Sequence, residues 1–426
     1  METILQRRKR LLGTRVPQYY DTPFHPVSGM GVWVKDVTGR TFLDAYNNVP
    51  HVGHCHPHVV EAICRQTRTL NTNTRYIFES ILDYAERLVA TMPPELNVCA
   101  FTCTGSEAND LAWQMARCFT EAEGALTTTH AYHGNTTFLD SIDGTSVKTQ
   151  RPAAAWWATI PAPGSTPYPT ACAQHAIERL ADNGYRPAAL FIDSTFASDG
   201  LLMPEPGCLN GAIEVIRNAG GLVIADEVQA GLGRLGTDLW SWQRLGLTPD
   251  FVTMGKPMAN GEPLGIVVTR REILEKFQAE DRYFNTFGGN PVACSAGLAV
   301  LDAVENERLQ ANAASVGRLL ADSIRELAKR HEYIRGVRGI GFLLGVEIAR
   351  HGHPEEPGPR ETRWILNDML RRGVLVGVTG PRRHAMDTIK VRPPMVFTSA
   401  NVDHFVTTLD QSLTALAAAG GAKDQD

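Results

Sequence analysis

No run of apolar residues approaches the roughly 18 that a membrane helix needs, so a membrane-spanning helix is not expected. Cysteine is sparse. The eight residues Cys55, Cys64, Cys99, Cys103, Cys118, Cys172, Cys208 and Cys294 are scattered through 426 residues without a CxxC pair. That pattern implies neither a disulfide framework nor a zinc ribbon, and it points to a reduced, cytoplasmic protein. Neither charge dominates: Lys+Arg number 41 and Asp+Glu 46, a formal charge of −5. With no basic excess, nucleic acid is not an expected partner. Internal repeats and low-complexity segments are also absent. Hydrophobic residues at 43% and charged residues at 20% are ordinary for a globular chain, which excludes disordered and fibrous classes. The basic start, METILQRRKRLLGTRVPQYY, lacks the apolar h-region of a secretory signal. Against a transit peptide stand only Glu2 and the shortness of the segment.

At about 150 residues per domain, this length suggests two or three domains, or one large one with an appendage. Residues 28–46 alternate apolar and polar positions around two Gly-containing turns and read as an antiparallel meander. From about 59 to 310, short apolar strands alternate with helical segments. Strands are expected at 99–102, 188–193, 221–228, 251–254 and 265–269, and helices at 106–117, 211–218 and 292–305. Such alternation predicts an α/β domain around a mainly parallel central sheet. The composition then shifts. A charged amphipathic helix is expected at 309–331, a hairpin at 336–348, a helix at 362–372, and strands at 374–378 and 388–392. The expected organisation is a large domain at 59–310 and a smaller α+β domain built from residues 311–426 together with the N-terminal segment 1–58. The tail from Leu416 reads as frayed.

Gly220–Arg234 reads GGLVIADEVQAGLGR. Asp226 and Glu227 end what should be a buried strand, and ligands of open α/β sheets sit at such carboxyl ends. A buried acid is costly without a partner, yet a lone acidic pair is also compatible with a solvated strand end. Thirty residues beyond Asp226, Phe251–Pro257 reads FVTMGKP. Lys256 follows a strand and a glycine, where desolvation lowers an amine's pKa and makes it nucleophilic. A Schiff-base lysine beside an acid at a neighbouring strand end is what pyridoxal phosphate requires, because the acid keeps the pyridine nitrogen protonated. Thr102–Asn109, TCTGSEAN, joins a strand to a helix whose free N–H groups make an anion site, although alone it is only a capped helix. His130–Gly134, HAYHG, offers Tyr132 and His133 for stacking on a ring.

As a set in this order, TGSEAN, YHG, IADEVQAGLGRLG, TMGKP and NTFGGNP resemble the class III aminotransferases, pyridoxal-phosphate enzymes of fold type I. The likeness runs from about residue 20 to 415. It implies that Lys256 binds the cofactor covalently and moves the Cα proton. Asp226 would pair with the pyridine nitrogen and Gln229 reach the ring hydroxyl. Tyr132 and Val228 would sandwich the ring, and Gly105 and Ser106 hold the phosphate. Thr286 would reach the phosphate of a partner subunit, which implies a homodimer with shared active sites; a tetramer stays open.

The family contains ω-aminotransferases, ornithine-type enzymes, racemases, decarboxylases and phospho-lyases. Residues 46–57, 71–80, 252–263, 283–294 and 389–397 look most like the phospho-lyase branch, which acts on O-phosphoethanolamine or phosphohydroxylysine. Aminotransferases of this class carry an Arg three residues before the Pro of the late strand, where it grips a carboxylate bidentately. Here Lys390 holds that position and an Arg stands at 392. Asp193 replaces a usual Glu. Both departures fit a substrate without an α-carboxylate. A phospho-lyase needs cations for a second phosphate, and Arg75, Lys390 and Arg392 are the candidates. The branch usually has a His where Glu262 stands, and an acid there opposes phosphate. The alternative is an ω-aminotransferase that passes an amino group to a keto acid; a non-catalytic pyridoxal-phosphate-binding protein is a minor one.

Two further patterns carry less. GLGRLG at 231–236 matches a dinucleotide-binding loop, but acids precede it where a pyrophosphate would sit. His51, His54, His56 and His58 surround Cys55, yet consecutive loop residues with Pro57 rarely converge on one ion, so no metal is expected.

Overall fold

The protein is described from a computed structural model over residues 2–14, 18–145, 154–164, 169–280, 283–380 and 386–422. An N-terminal meander comes first, of β1 (Pro26–Met30), β2 (Trp33–Asp36) and β3 (Thr41–Asp44). Seven strands then form the central sheet: β4 (Val98–Thr102), β5 (Gly124–Thr128), β6 (Trp157–Ile160), β7 (Pro187–Ile192), β8 (Leu222–Asp226), β9 (Phe251–Met254) and β10 (Gly265–Thr269). Their order is β4-β10-β9-β8-β7-β5-β6. Only β10 runs antiparallel to its neighbours. The four pairs from β9 through β8, β7 and β5 to β6 are parallel.

The middle strands have no solvated face. All residues of β7, β8 and β9 are buried, as expected for a parallel sheet covered by helices on both sides. Helix Gly105–Thr120 covers one face and buries Ala108, Leu111, Ala112 and Met115 at helical spacing. The small-residue helix Pro291–Asn306 is buried along most of its length and packs against helices Pro57–Thr69 and Glu79–Val89.

The C-terminal part holds β11 (Ile334–Ile340), β12 (Leu343–Arg350), β13 (His353–Pro357), β14 (Val374–Leu375), β15 (Gly377–Thr379) and β16 (Thr388–Val391). β11, β12, β16 and β15 form one sheet, with β13 on β12. The single strand expected at 374–378 is two. β14 pairs parallel with β3 of the meander, whereas β15 pairs with β16. The chain changes sheets at Val376, whose carbonyl accepts the Tyr20 hydroxyl at 2.9 Å. At Gly377 a Cβ would stand 1.8 Å from Tyr46 Cε2, so only glycine passes there. β14 thus stitches the N-terminal meander to the C-terminal part.

The tail also differs from expectation. Helix Ser399–Ala418 continues past Leu416 because Leu413 and Leu416 are fully buried in the core. Residues 423–426 of the expected frayed tail lie outside the described residues. Among the described residues, no helix is long and apolar enough to cross a membrane.

Candidate active site

Three chain segments converge at one edge of the central sheet. Asp226 closes β8 and pairs in register with Thr253 of β9. β9 runs on through Gly255 to Lys256, which opens the short 3₁₀ helix Lys256–Ala259. β4 points the same way and delivers helix Gly105–Thr120, so its N-terminus faces both residues.

Glycine makes the approach possible. A Cβ on Gly105 would lie 2.6 Å from Val228 Cγ2, and one on Gly255 would lie 3.0 Å from Gly105 Cα. Overpacking of this kind costs about 1–3 kcal/mol. Gly105→Ala is therefore expected to weaken cofactor retention roughly 10-fold, with the fold intact, read by equilibrium dialysis of pyridoxal phosphate.

The helix start is itself ordered. Thr104 is its N-cap and receives Glu107 N at 3.1 Å, while Glu107 reaches back to the backbone N–H groups of Cys103 and Thr104. Ser106 Oγ accepts from Asn135 N at 3.3 Å.

The two adjacent acids have opposite surroundings, because successive side chains leave a strand on opposite faces. Asp226 Oδ2 accepts from Asn109 Nδ2 and His133 Nδ1, each at 2.8 Å, and Oδ1 accepts from Val228 N at 3.0 Å. Asn109 is fixed in turn by Thr253 Oγ1, which donates to its Oδ1. Glu227 lies on the far side and is fully buried. It accepts from Ser241 N, Ser241 Oγ and Trp242 N, capping helix Ser241–Leu245. Burial pushes its carboxyl up to about 7. Glu227 is thus architectural.

Asp226 and Lys256 share a cavity of 420 Å³ with Val228, Gln229, Gly105, Ser106, Tyr132 and Asp193. Lys256 is exposed in this structure and lines the cavity, at a point where protein atoms crowd around it. Desolvation, aided by the nearby Arg392 charge, pulls its amine below the usual lysine range; Asp226 and Asp193 oppose that shift. Tyr132 is 45% exposed at the cavity wall. Asp193 is tied into a turn, accepting from Thr195 N, Thr195 Oγ1 and Ala197 N.

The other sequence candidates stand apart from this cavity. Arg392 donates Nη1 to Gln229 Oε1 and Nε to the Tyr46 carbonyl, with its guanidinium 4.4 Å from the Tyr46 ring centre. Lys390 is buried behind it and donates to the Ala197 carbonyl at 3.4 Å. Burial, with Arg392 adding to it, pulls its amine down to about 7. Arg75 stacks on Phe284 at 3.9 Å, and Thr286, two residues further on, is exposed. The histidines of residues 51–58 diverge. His51 joins Leu232 and Arg234, His54 joins Asp44, His56 joins Glu307, and His58 joins Asp302. Asn109 and Thr253 escaped the sequence reading. Only the helical offset of Asn109 from the Thr104–Ser106 turn hinted at a residue facing the sheet.

A profile of the aminotransferase class III family matches residues 16–413. An alanine–glyoxylate aminotransferase 2-like protein of Drosophila melanogaster is 36% identical, over 97% of this chain and 87% of its own. An ethanolamine-phosphate phospho-lyase homolog of Caenorhabditis elegans is 35% identical, over 97% and 94%. A phospholyase from Arthrobacter, solved in complex with phosphoethanolamine, superposes with a TM-score of 0.93 at 38% identity, over 97% of this chain and all of that one. The chain belongs to the class III aminotransferase family. It has the fold-type-I architecture, it is an enzyme, and its cofactor is pyridoxal 5′-phosphate.

The residues present fit that group. A helix N-terminus stripped of side-chain bulk at Gly105 suits a phosphate. An amine with a lowered pKa stands in the same cavity as a carboxylate whose Oδ1 carries a single backbone donor.

Proposed function

We propose that this enzyme is a phospho-lyase that converts O-phosphoethanolamine, or a related phosphorylated amine, to an aldehyde, ammonia and phosphate. The observation that carries this reading is the full-length likeness, at 38% identity, to the Arthrobacter phospholyase whose structure holds phosphoethanolamine. The late strand supports it. The residue three before Pro393 is a buried lysine directed at the Ala197 carbonyl, not a guanidinium fork ready for an α-carboxylate.

In this reading Gly105 and Ser106 would hold the cofactor phosphate, and Asp226, gripped by Asn109 and His133, would hold the pyridine nitrogen. Val228 and Tyr132 would bracket the ring, and Gln229, oriented by Arg392, would meet its hydroxyl. When bound, pyridoxal phosphate supplies an electrophilic aldehyde and an electron sink for the bond that breaks at Cα. The Lys256 amine, poised by desolvation, takes the Cα proton. The Cβ–O bond then breaks, and phosphate leaves with its electron pair. The resulting enamine takes up a proton at carbon and, by adding water, yields acetaldehyde and ammonia.

The chain acts as a homodimer in this reading. Thr286 would complete the partner's phosphate site, and the neighbouring Phe287, 70% accessible, together with Ile77, 98% accessible, would be apolar surface for a second subunit to cover.

An aminotransferase is the second reading, favoured by the 36% identity to the Drosophila relative. The test is incubation with O-phosphoethanolamine and no keto acid. The lyase reading expects equal, continuing release of inorganic phosphate and acetaldehyde. A single conversion of the cofactor to its amine form without phosphate would establish the aminotransferase instead.

A further inference from the structure

Gln229 lines the catalytic cavity with an amide whose two ends differ. Arg392 Nη1 donates to its Oε1. A guanidinium has donors only, so the oxygen end of the amide is the one that faces Arg392. Among the described residues, Gln229 Nε2 meets no acceptor. The amide therefore keeps an unspent donor at the cavity.

Arg392 is fixed along its length. Its backbone N donates to the Ala45 carbonyl at 2.9 Å and its Nε to the Tyr46 carbonyl at 3.1 Å, and its guanidinium lies 4.4 Å from the Tyr46 ring centre. Tyr46 is held in turn. Its N–H donates to Asp44 Oδ1 at 3.0 Å, its hydroxyl meets that of Tyr19, and Gly377 passes against its ring. Among the described residues, no carboxylate pairs with Arg392, although it is half-buried. Its charge adds to desolvation in lowering the amines of Lys256 and Lys390.

The other charged groups facing Lys256 come from several elements. Asp226 ends β8, Asp193 follows β7, Glu262 shares the Lys256 loop, and Lys390 lies on β16. Cys103, Tyr132 and His133 are the further titratable groups at the cavity wall. Among all of these, only Arg392 is hydrogen-bonded to Gln229.

We infer that Arg392 is a positioning residue: it locks the Gln229 amide so that Nε2 donates to the cofactor's ring oxygen and favours that oxygen as an anion. The inference rests on the reading that Gln229 meets the ring hydroxyl, and it goes beyond that reading by assigning the proton. In the lysine-bound cofactor, the ring oxygen and the imine nitrogen contributed by Lys256 share one proton. A fixed donor and a nearby cation on the oxygen side both disfavour that proton, so it is lost at lower pH. A nitrogen without its proton can take one from the incoming substrate ammonium, which leaves the substrate amine free to attack.

The test reads a proton and not turnover. Holoenzyme is titrated with base, following the visible absorbance of the lysine-bound cofactor, in the wild type, Arg392→Leu, Gln229→Leu and the double variant. Each single substitution should raise the midpoint by about one pH unit. Because the two residues act through one amide, the shift in the double variant should fall well short of the sum. Arg392→Lys keeps the charge and one donor, and should recover part of the shift even if its melting temperature falls. An Arg392→Leu midpoint equal to that of the wild type, or shifts that add in the double variant, would overturn the assignment. An unshifted Gln229→Leu would overturn it too, by removing Gln229 from the ring, and would leave the phosphate-release test of the lyase reading standing.

Discussion

Lys256→Ala should abolish turnover, by about 10⁴-fold or more, and remove the visible absorbance of covalently held cofactor. The reason is local. Lys256 is the only amine lining the cavity among the described residues, and its desolvated position keeps a larger fraction of it neutral at a given pH than a surface lysine. Asp226 and Asp193, which share the cavity, are already engaged by hydrogen bonds and do not replace it. The expected protein is folded, colourless and inactive. Assays of activity, absorbance and circular dichroism together check this, and turnover within 10-fold of wild type would remove Lys256 from its role.

Asp226→Ala should separate binding from chemistry. Lys256 remains, so cofactor should still be captured, but the group proposed to keep the pyridine nitrogen protonated is gone. Removing such a preorganised electrostatic partner costs roughly 10²–10³-fold in kcat. The substitution also strands His133 Nδ1 in a buried site and leaves Asn109 Nδ2 only the His133 carbonyl as acceptor. A moderate fall in melting temperature should accompany the kinetic loss. Asp226→Glu should not restore full activity, because a longer carboxylate cannot keep Asn109, His133 and Val228 N together at their present distances. Wild-type kcat in Asp226→Ala would contradict the role given to it.

Much of this site was legible because its residues are punctuation in the sequence. Asp226 and Lys256 each end or follow an apolar strand, and strands of one parallel sheet bring their carboxyl ends to one edge. Gly105 and Gly255 mark where backbones nearly touch. What was not legible depends on three-dimensional partners that no spacing encodes. Glu227 looked equivalent to Asp226 until the alternation of side chains sent it to Ser241 and Trp242 on the other face. Lys390 and Arg392 looked like free cations, but one is directed at a carbonyl and the other bridges Gln229 and the Tyr46 carbonyl. The strand expected at 374–378 split because Tyr20 and Tyr46 fix the chain where it changes sheets, a constraint that arises more than 300 residues away in sequence. The frayed tail failed on a buried Leu416 in a segment whose alanines and glycines suggest looseness.

The central proposed step is carbon–oxygen cleavage at Cβ following proton removal by Lys256. The direct measurement is the number of phosphates released per active site from O-phosphoethanolamine without keto acid, with Lys256→Ala as the blank. Many phosphates per site, rising linearly with time, are expected from the wild type and none from the variant. No phosphate from the wild type, with one equivalent of cofactor converted to its amine form, would contradict it.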